Sequence, residues 1–148
     1  VEDALWFTDI KRQKVHRLDP ASGQRRSWDA PEQVGFVLPA SGGGFIAGLQ
    51  SGLHRFDPES GRFTPLVKIE PDRPSNRLND GVVDPSGRLW FGTMDNGEEE
   101  KTGSFYSFHR GQVRPAGLSG IAISNGPAIS PDGDTLYWVD TLERTISV

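Results

Sequence analysis

Apolar residues along the chain fall into short runs broken by turns, and four of the runs share one aromatic-rich pattern. They are Leu5-Trp6-Phe7-Thr8-Asp9, Gly44-Phe45-Ile46-Ala47-Gly48, Leu89-Trp90-Phe91-Gly92-Thr93 and Leu136-Tyr137-Trp138-Val139-Asp140. With Trp6, Phe45, Trp90 and Tyr137 taken as equivalent, the spacings are 39, 45 and 47 residues. Each run after the first follows a turn of one type: Pro39-Ala40-Ser41-Gly42, Asp84-Pro85-Ser86-Gly87 and Ser130-Pro131-Asp132-Gly133. In such turns proline presets φ and glycine accepts positive φ. A second strand follows the first, and two copies are nearly identical: Val15-His16-Arg17-Leu18 before Asp19-Pro20-Ala21-Ser22-Gly23, and Leu53-His54-Arg55-Phe56 before Asp57-Pro58-Glu59-Ser60-Gly61. Their alternation suits a strand with two unlike faces, and the Asp-Pro-x-Ser-Gly after it suits a hairpin turn. A third copy, Ser104 to Phe108, is delayed by a charged insertion from Asp95 to Gly103, and a fourth begins at Thr145.

Repeats of ~40–50 residues, each of about four short strands, are the signature of β-propeller blades. The pattern therefore predicts an all-β chain and a single domain over 1–148. It holds about three blades and the start of a fourth, with boundaries near 5–43, 44–88, 89–135 and 136–148. A β-helix needs a shorter period, and a sandwich does not repeat its sequence. Closed propellers usually have ~4–8 blades. Three blades thus predict either a piece of a longer propeller or a half-propeller whose open edges pair with a second copy, since an unpaired strand edge is a template for another chain.

Composition narrows the chemistry. Eighteen glycines and 11 prolines in 148 residues stand well above the ~12% usual for the two together, which fits a turn-rich β protein and excludes a helical bundle or coiled coil. The absence of cysteine removes disulfides, thiolate zinc sites and cysteine nucleophiles, leaving oxygen ligands or one of three histidines for any metal. A net charge of −4 repels polyanions, so neither nucleic acid nor an anionic membrane is an expected partner. No apolar run approaches the ~20 residues of a membrane span. The start, Val1-Glu2-Asp3-Ala4-Leu5, lacks the basic and apolar regions of a secretory leader. The expectation is a soluble cytoplasmic protein.

Polar residues that blades do not require cluster in three places. Ser75-Asn76-Arg77-Leu78-Asn79-Asp80-Gly81 brings an arginine, an amide and a carboxylate within four residues. Such a set suits a polyhydroxy ligand or a metal, and Asn-Asp-Gly equally suits a plain turn. Ile123-Ser124-Asn125-Gly126-Pro127 also reads as a loop. Yet Asn79 and Asn125 each precede a turn proline (Pro85, Pro131) by 6 residues. Equivalent positions of successive blades converge on a propeller axis, where two amide oxygens can serve a hard cation. Asp95-Asn96-Gly97-Glu98-Glu99-Glu100-Lys101 is a lid or a solvated charged loop. His16 and His54 share one repeat position and His109 precedes an Arg-Gly turn, so all three read as structural or surface residues. No catalytic triad, Gly-x-Ser-x-Gly elbow, GxGxxG or P-loop occurs.

The run Asn76-Arg77-Leu78-Asn79-Asp80-Gly81-Val82-Val83-Asp84-Pro85-Ser86-Gly87-Arg88-Leu89-Trp90-Phe91-Gly92-Thr93-Met94, followed by Ile123-Ser124-Asn125-Gly126-Pro127, closely resembles the regucalcin/gluconolactonase family of senescence marker protein type. Gly92-Thr93-Met94-Asp95-Asn96-Gly97-Glu98-Glu99 is most similar to the bacterial sugar lactonases that open xylono-, arabino- or gluconolactone. The resemblance implies a six-bladed propeller with one divalent metal (Ca, Zn, Mn, Mg or Fe) on its axis. It implies Asn125 as a metal ligand, and Arg77 and Asn79 as contacts to substrate and to water on the metal, so that Asn79 also joins the metal site. Asp80 follows as in the family. Glu98 or Glu99 matches an acidic residue that touches sugar hydroxyls. The family's glutamate ligand is expected before Val1, and its aspartate ligand, with the general base, beyond Val148. The function so implied is metal-dependent hydrolysis of a sugar lactone to an aldonic acid, as part of a complete propeller. The alternatives are a non-catalytic half-propeller, including a homodimer that completes the ring, and a calcium-binding regucalcin-like protein working through assembly.

Overall fold

A computed structural model describes residues 3–148; Val1 and Glu2, with which the reading of the N-terminus begins, lie outside the described residues. The all-β expectation holds. Fourteen strands form four antiparallel sheets among the described residues, and no helix is long and apolar enough to cross a membrane. The chain divides into two compact units, one reaching Ile69 and the other running Glu70–Val148.

The first unit holds a three-stranded sheet, β1 (Leu5–Asp9), β2 (Lys14–Leu18) and β3 (Arg25–Asp29). It also holds a four-stranded one, β4 (Val34–Pro39), β5 (Phe45–Leu49), β6 (Gly52–Asp57) and β7 (Arg62–Lys68). The repeated aromatics make its core. Trp6 stacks on Trp28 with ring centres 5.2 Å apart and lies 4.3 Å from Phe45, while fully buried Phe56 stacks on Phe63 at 4.5 Å. Each such pair contributes about 1 kcal/mol beyond its area burial. The buried Trp28 indole N–H is satisfied by the Pro58 carbonyl at 3.0 Å, as a buried donor must be. The two Asp-Pro-x-Ser-Gly copies fold alike. Gly23 and Gly61, both at φ +71°, donate their N–H to the carbonyls of Asp19 and Asp57 at 2.8 Å. The two aspartate side chains accept from the residues that follow them. That positive φ is why glycine closes the turn.

The second unit holds a four-stranded sheet, β8 (Asn76–Val83), β9 (Leu89–Asp95), β10 (Gly103–His109) and β11 (Gln112–Ile121). Beside it is a three-stranded one, β12 (Ser124–Ile129), β13 (Leu136–Asp140) and β14 (Thr145–Ser147). Leu78, Phe91, Met94, Phe105 and Ile121 are its buried apolar filling. Close approach of β12 to β9 depends on Gly92, where an added Cβ would sit 2.3 Å from the Ser124 hydroxyl.

The sheets are offset by one strand from the boundaries read in the sequence. They span 5–29, 34–68, 76–121 and 124–147 rather than 5–43, 44–88, 89–135 and 136–148, because β4, β8 and β12 pair with the aromatic strand that follows them. Two of these opening strands look like loops in the sequence. Asn79-Asp80-Gly81 lies inside β8 instead of making a turn, and Asn125-Gly126-Pro127 lies inside β12. Both strands lose regular pairing at these residues: the register shifts between Leu78 and Asp80 and again between Asn125 and Ala128. Such bulges let strands carry residues that a regular ladder rejects, and they re-aim side chains.

Candidate functional site

The two bulges point their asparagines at each other. Asn79 Nδ2 donates to Asn125 Oδ1 at 2.8 Å and to the Ser124 carbonyl at 2.6 Å. Asn79 Oδ1 accepts from Arg77 Nη1 at 2.6 Å, Arg77 Nε donates to Asn96 Oδ1 at 3.0 Å, and Asn125 Nδ2 donates to Thr141 Oγ1 at 2.7 Å. Five side chains, Asn96, Arg77, Asn79, Asn125 and Thr141, thus form one chain of hydrogen bonds across the two sheets of this unit. The guanidinium donates inward and the amides pass the polarity on, so the orientation of each amide is fixed by its neighbour. Turning Asn79 over would set its NH2 against the guanidinium.

Arg77 is the costly member. It is only 4% exposed, and its hydrogen-bond partners among the described residues are all neutral oxygens: Asn96, Asn79 and the Leu78 carbonyl. Burial pulls its guanidinium below the usual arginine range, and the negative charge of Glu98 works against that pull. Its Nη2 makes no hydrogen bond among the described residues. A buried cation balanced by neutral groups is expensive unless something anionic or strongly polar meets it.

Carboxylates hold the surrounding backbone. Asp80 accepts the N–H of Gly81 and of Gly126, both at 2.8 Å, and the second bond ties β8 to β12. Asp140, 4% exposed, accepts the N–H of Ala122 at 2.8 Å and of Ile123 at 3.2 Å, fixing the chain that enters β12. Asp95 caps the charged insertion by accepting from Glu99 and Glu100. The Glu99 amide chiefly holds the Asp95 carboxyl below its ordinary range, against the upward effect of burial. Ser124 Oγ donates to the Thr93 carbonyl at 3.2 Å.

Of the residues singled out in the sequence, Arg77, Asn79 and Asn125 are brought together. Glu98 stands within electrostatic reach of Arg77 on an exposed turn at φ +62°. Glu99 is exposed, and among the described residues its hydrogen bond to the site is from its backbone N–H to Asp95. His16 and His54 are buried in the first unit, with Nδ1 against Ser27 Oγ at 2.7 Å and against the Gly52 carbonyl at 3.3 Å. Four contributors were missed: Asn96, Ser124, Asp140 and Thr141. Asp140 had a signal, since it closes its aromatic run as Asp9 closes the first; Asn96 and Ser124 lie in runs that the sequence singles out without a role of their own, and Thr141 has no pattern to mark it.

The donor set fits a hard cation at one point. Asn125 is half-exposed and its Oδ1 accepts one hydrogen bond among the described residues, leaving a lone pair for a metal. Asn79 Oδ1 is committed to a guanidinium, which opposes a cation there. Among the described residues no three histidine, aspartate or glutamate side chains converge on a point.

Comparison with known proteins adds to this geometry. Residues 1–148 match the family described as SMP-30/Gluconolactonase/LRE-like region. An L-arabinolactonase from Azospirillum brasilense is 36% identical over 149 residues, covering 98% of this chain and 49% of that protein. A regucalcin from Xenopus laevis is 33% identical over 146 residues, covering 95% of this chain and 49% of that protein. The crystal structure of a calcium-binding protein, regucalcin, from Agrobacterium tumefaciens superimposes with a TM-score of 0.89 at 34% identity, over 95% of this chain and 48% of that one. The chain spans about half the length of the curated relatives it matches. With the four antiparallel sheets, these likenesses make the fold a partial β-propeller.

Proposed function

The chain belongs to the SMP-30/gluconolactonase/LRE-like family, and on that footing we propose that it carries the substrate-orienting residues and one metal ligand of a cytoplasmic sugar lactonase. The reaction is hydrolysis of an aldonolactone to the aldonic acid. We place these residues in one partial six-bladed propeller over 1–148. The observation that carries the reading is the hydrogen-bonded chain Arg77–Asn79–Asn125, in which a buried guanidinium keeps one nitrogen uncommitted.

Asn125 Oδ1 would hold a divalent cation. When bound, the cation supplies polarisation of the ester carbonyl and acidification of water. Arg77 Nη2 donates to an oxygen of the lactone and balances the negative charge that grows on it as water adds to the carbonyl. Asn79 keeps Arg77 and Asn125 in register, which is an orienting task. Glu98 and Glu99 accept hydrogen bonds from sugar hydroxyls. The general base is not assigned to a residue of this chain. A single neutral amide oxygen is a poor cage for a hard divalent ion, which needs several oxygens and negative charge, so the 148-residue chain alone binds such ions weakly.

A pH-stat assay of arabino-, xylono- and gluconolactone with the whole gene product tests the reading. Acid release that needs a divalent ion and falls in Arg77 variants supports it, and no release above the spontaneous rate refutes it. The likeness to a calcium-binding regucalcin favours one other reading, calcium binding without turnover, which the same assay beside a calcium titration separates.

A further inference from the structure

At the far end of the β8–β11 sheet lies a second polar concavity that the lactonase reading does not use. Trp90, Ser107 and Arg114 stand directly opposite one another across β9, β10 and β11, so their side chains share one face of the sheet. One pleat further along, on the same face, come Arg88, His109 and Gln112, with His109 paired to Gln112. Arg110 follows in the turn between β10 and β11, at φ +50°. Arg88, Ser107, His109, Arg110, Gln112 and Arg114 line a cleft of about 370 Å3.

Three features mark this cleft as more than a solvated face. First, it gathers three guanidiniums and an imidazole in a chain whose net charge is −4. No carboxylate lines it, and none of the three arginines is ion-paired among the described residues. Asp84 commits its oxygens to its own turn, accepting from the Ser86 and Arg88 amides and the Trp90 indole. Second, two of the arginines are held in place: the Arg88 guanidinium lies over the Trp90 ring at 5.5 Å, and Arg114 Nη2 donates to Gln112 Oε1 at 3.3 Å. Third, Ser107 lines the cleft, and its hydroxyl makes no hydrogen bond among the described residues, so it can donate to a ligand there. A free hydroxyl beside guanidiniums that have no ion pair is a donor set that a bound oxyanion would satisfy.

We propose that this cleft binds the phosphate group of a small phosphorylated ligand. A phosphomonoester dianion offers three equatorial oxygens, which suits forked donation from Arg88, Arg110 and Arg114 with the Ser107 hydroxyl beneath. A carboxylate, with one charge, has no need of three arginines. The volume matches a small molecule, and the overall negative charge disfavours a nucleic-acid backbone. The cleft is separate from the Arg77 site. The strand β8 runs from Asn76 at that site to Val83 at this end, roughly 20 Å at the ~3.3 Å rise of a strand, so both sites can be filled at once.

Isothermal titration of the chain with inorganic phosphate, glucose 6-phosphate and neutral glucose tests this without reading lactone turnover, so its outcome is independent of the lactonase reading. Saturable binding of either phosphate, and none of glucose, is expected. Tighter binding of the sugar phosphate assigns the site to an ester, and equal binding assigns it to the phosphate group alone. Arg110→Gln and Arg114→Gln change exposed side chains and leave the fold intact; each is expected to weaken binding ~10-fold, with Ser107→Ala weakening it less. Absence of saturable binding by both phosphates, or an unchanged affinity in the Arg110→Gln/Arg114→Gln double variant, overturns the proposal.

Discussion

The amide of Asn79 donates to the side-chain oxygen of Asn125 at 2.8 Å, and that bond joins a bulge in β8 to a bulge in β12. The two residues occupy equivalent places in successive repeats, so the contact is what the internal repetition of the chain produces when two sheets pack side by side. It also sets the orientation of Arg77, which donates to the other end of the same amide.

Asn79→Ala is expected to destabilise the chain by about 3 kcal/mol, because it strands the buried Arg77 guanidinium, the Ser124 carbonyl and Asn125 together. Urea unfolding measures the loss. A cycle with Asn125→Ala should show the two side chains coupled by about 1 kcal/mol. Additive losses would mean that the bond does not link the two bulges.

Gly92→Ala tests the close approach of β9 and β12. The new Cβ would meet the Ser124 side chain at 2.3 Å, so a loss of about 2 kcal/mol is expected from overpacking. Adding Ser124→Gly removes the obstruction and should recover part of it. A double variant no more stable than Gly92→Ala alone would show that the steric account is incorrect.

Asp84 gives the chain an acid-sensitive turn. Burial pushes its carboxyl up, but hydrogen bonds from Ser86, the Trp90 indole and the Arg88 amide outweigh that and bring it down to about 2. A group whose folded value lies below the ordinary 3.8 stabilises the fold above that value and loses the contribution as pH falls toward the folded one. Asp84→Asn should therefore cost about 1 kcal/mol at neutral pH once solvent screening is allowed for. In acid titrations of both proteins the gap should narrow below pH ~4 and vanish near pH ~2. A gap that stays constant across that range would assign the loss to packing rather than charge.

Arg77→Lys is expected to lower lactone kcat/KM in the whole gene product about 100-fold, nearly as much as Arg77→Met. An ammonium carries the charge but cannot hold Asn96, Asn79 and a substrate oxygen in one plane. Steady-state assays of both variants decide this, and a lysine variant near wild-type activity would show that charge alone suffices.

Much of this was legible in the residues. The aromatic runs marked β1, β5, β9 and β13, and the repeated Asp-Pro-x-Ser-Gly marked two turns that fold alike. The strands that open three sheets were harder. Asn-Asp-Gly and Asn-Gly-Pro carry turn chemistry, and only neighbours distant in the sequence, Gly126 for Asp80 and Asp140 for the entry to β12, make strands of them. Local preference lost to tertiary hydrogen bonding, at the two bulges where the candidate site lies. Asn96 and Thr141 escaped notice for the same reason, since nothing local ties them to residues 19 and 16 positions away.

Metal titration of lactone turnover, comparing the whole gene product with its Asn125→Ala variant, tests the account most directly. The account predicts that the variant needs at least ~10-fold more divalent ion for half-maximal rate and regains turnover at high metal. An Asn125→Ala protein with the wild-type metal dependence and rate would contradict it.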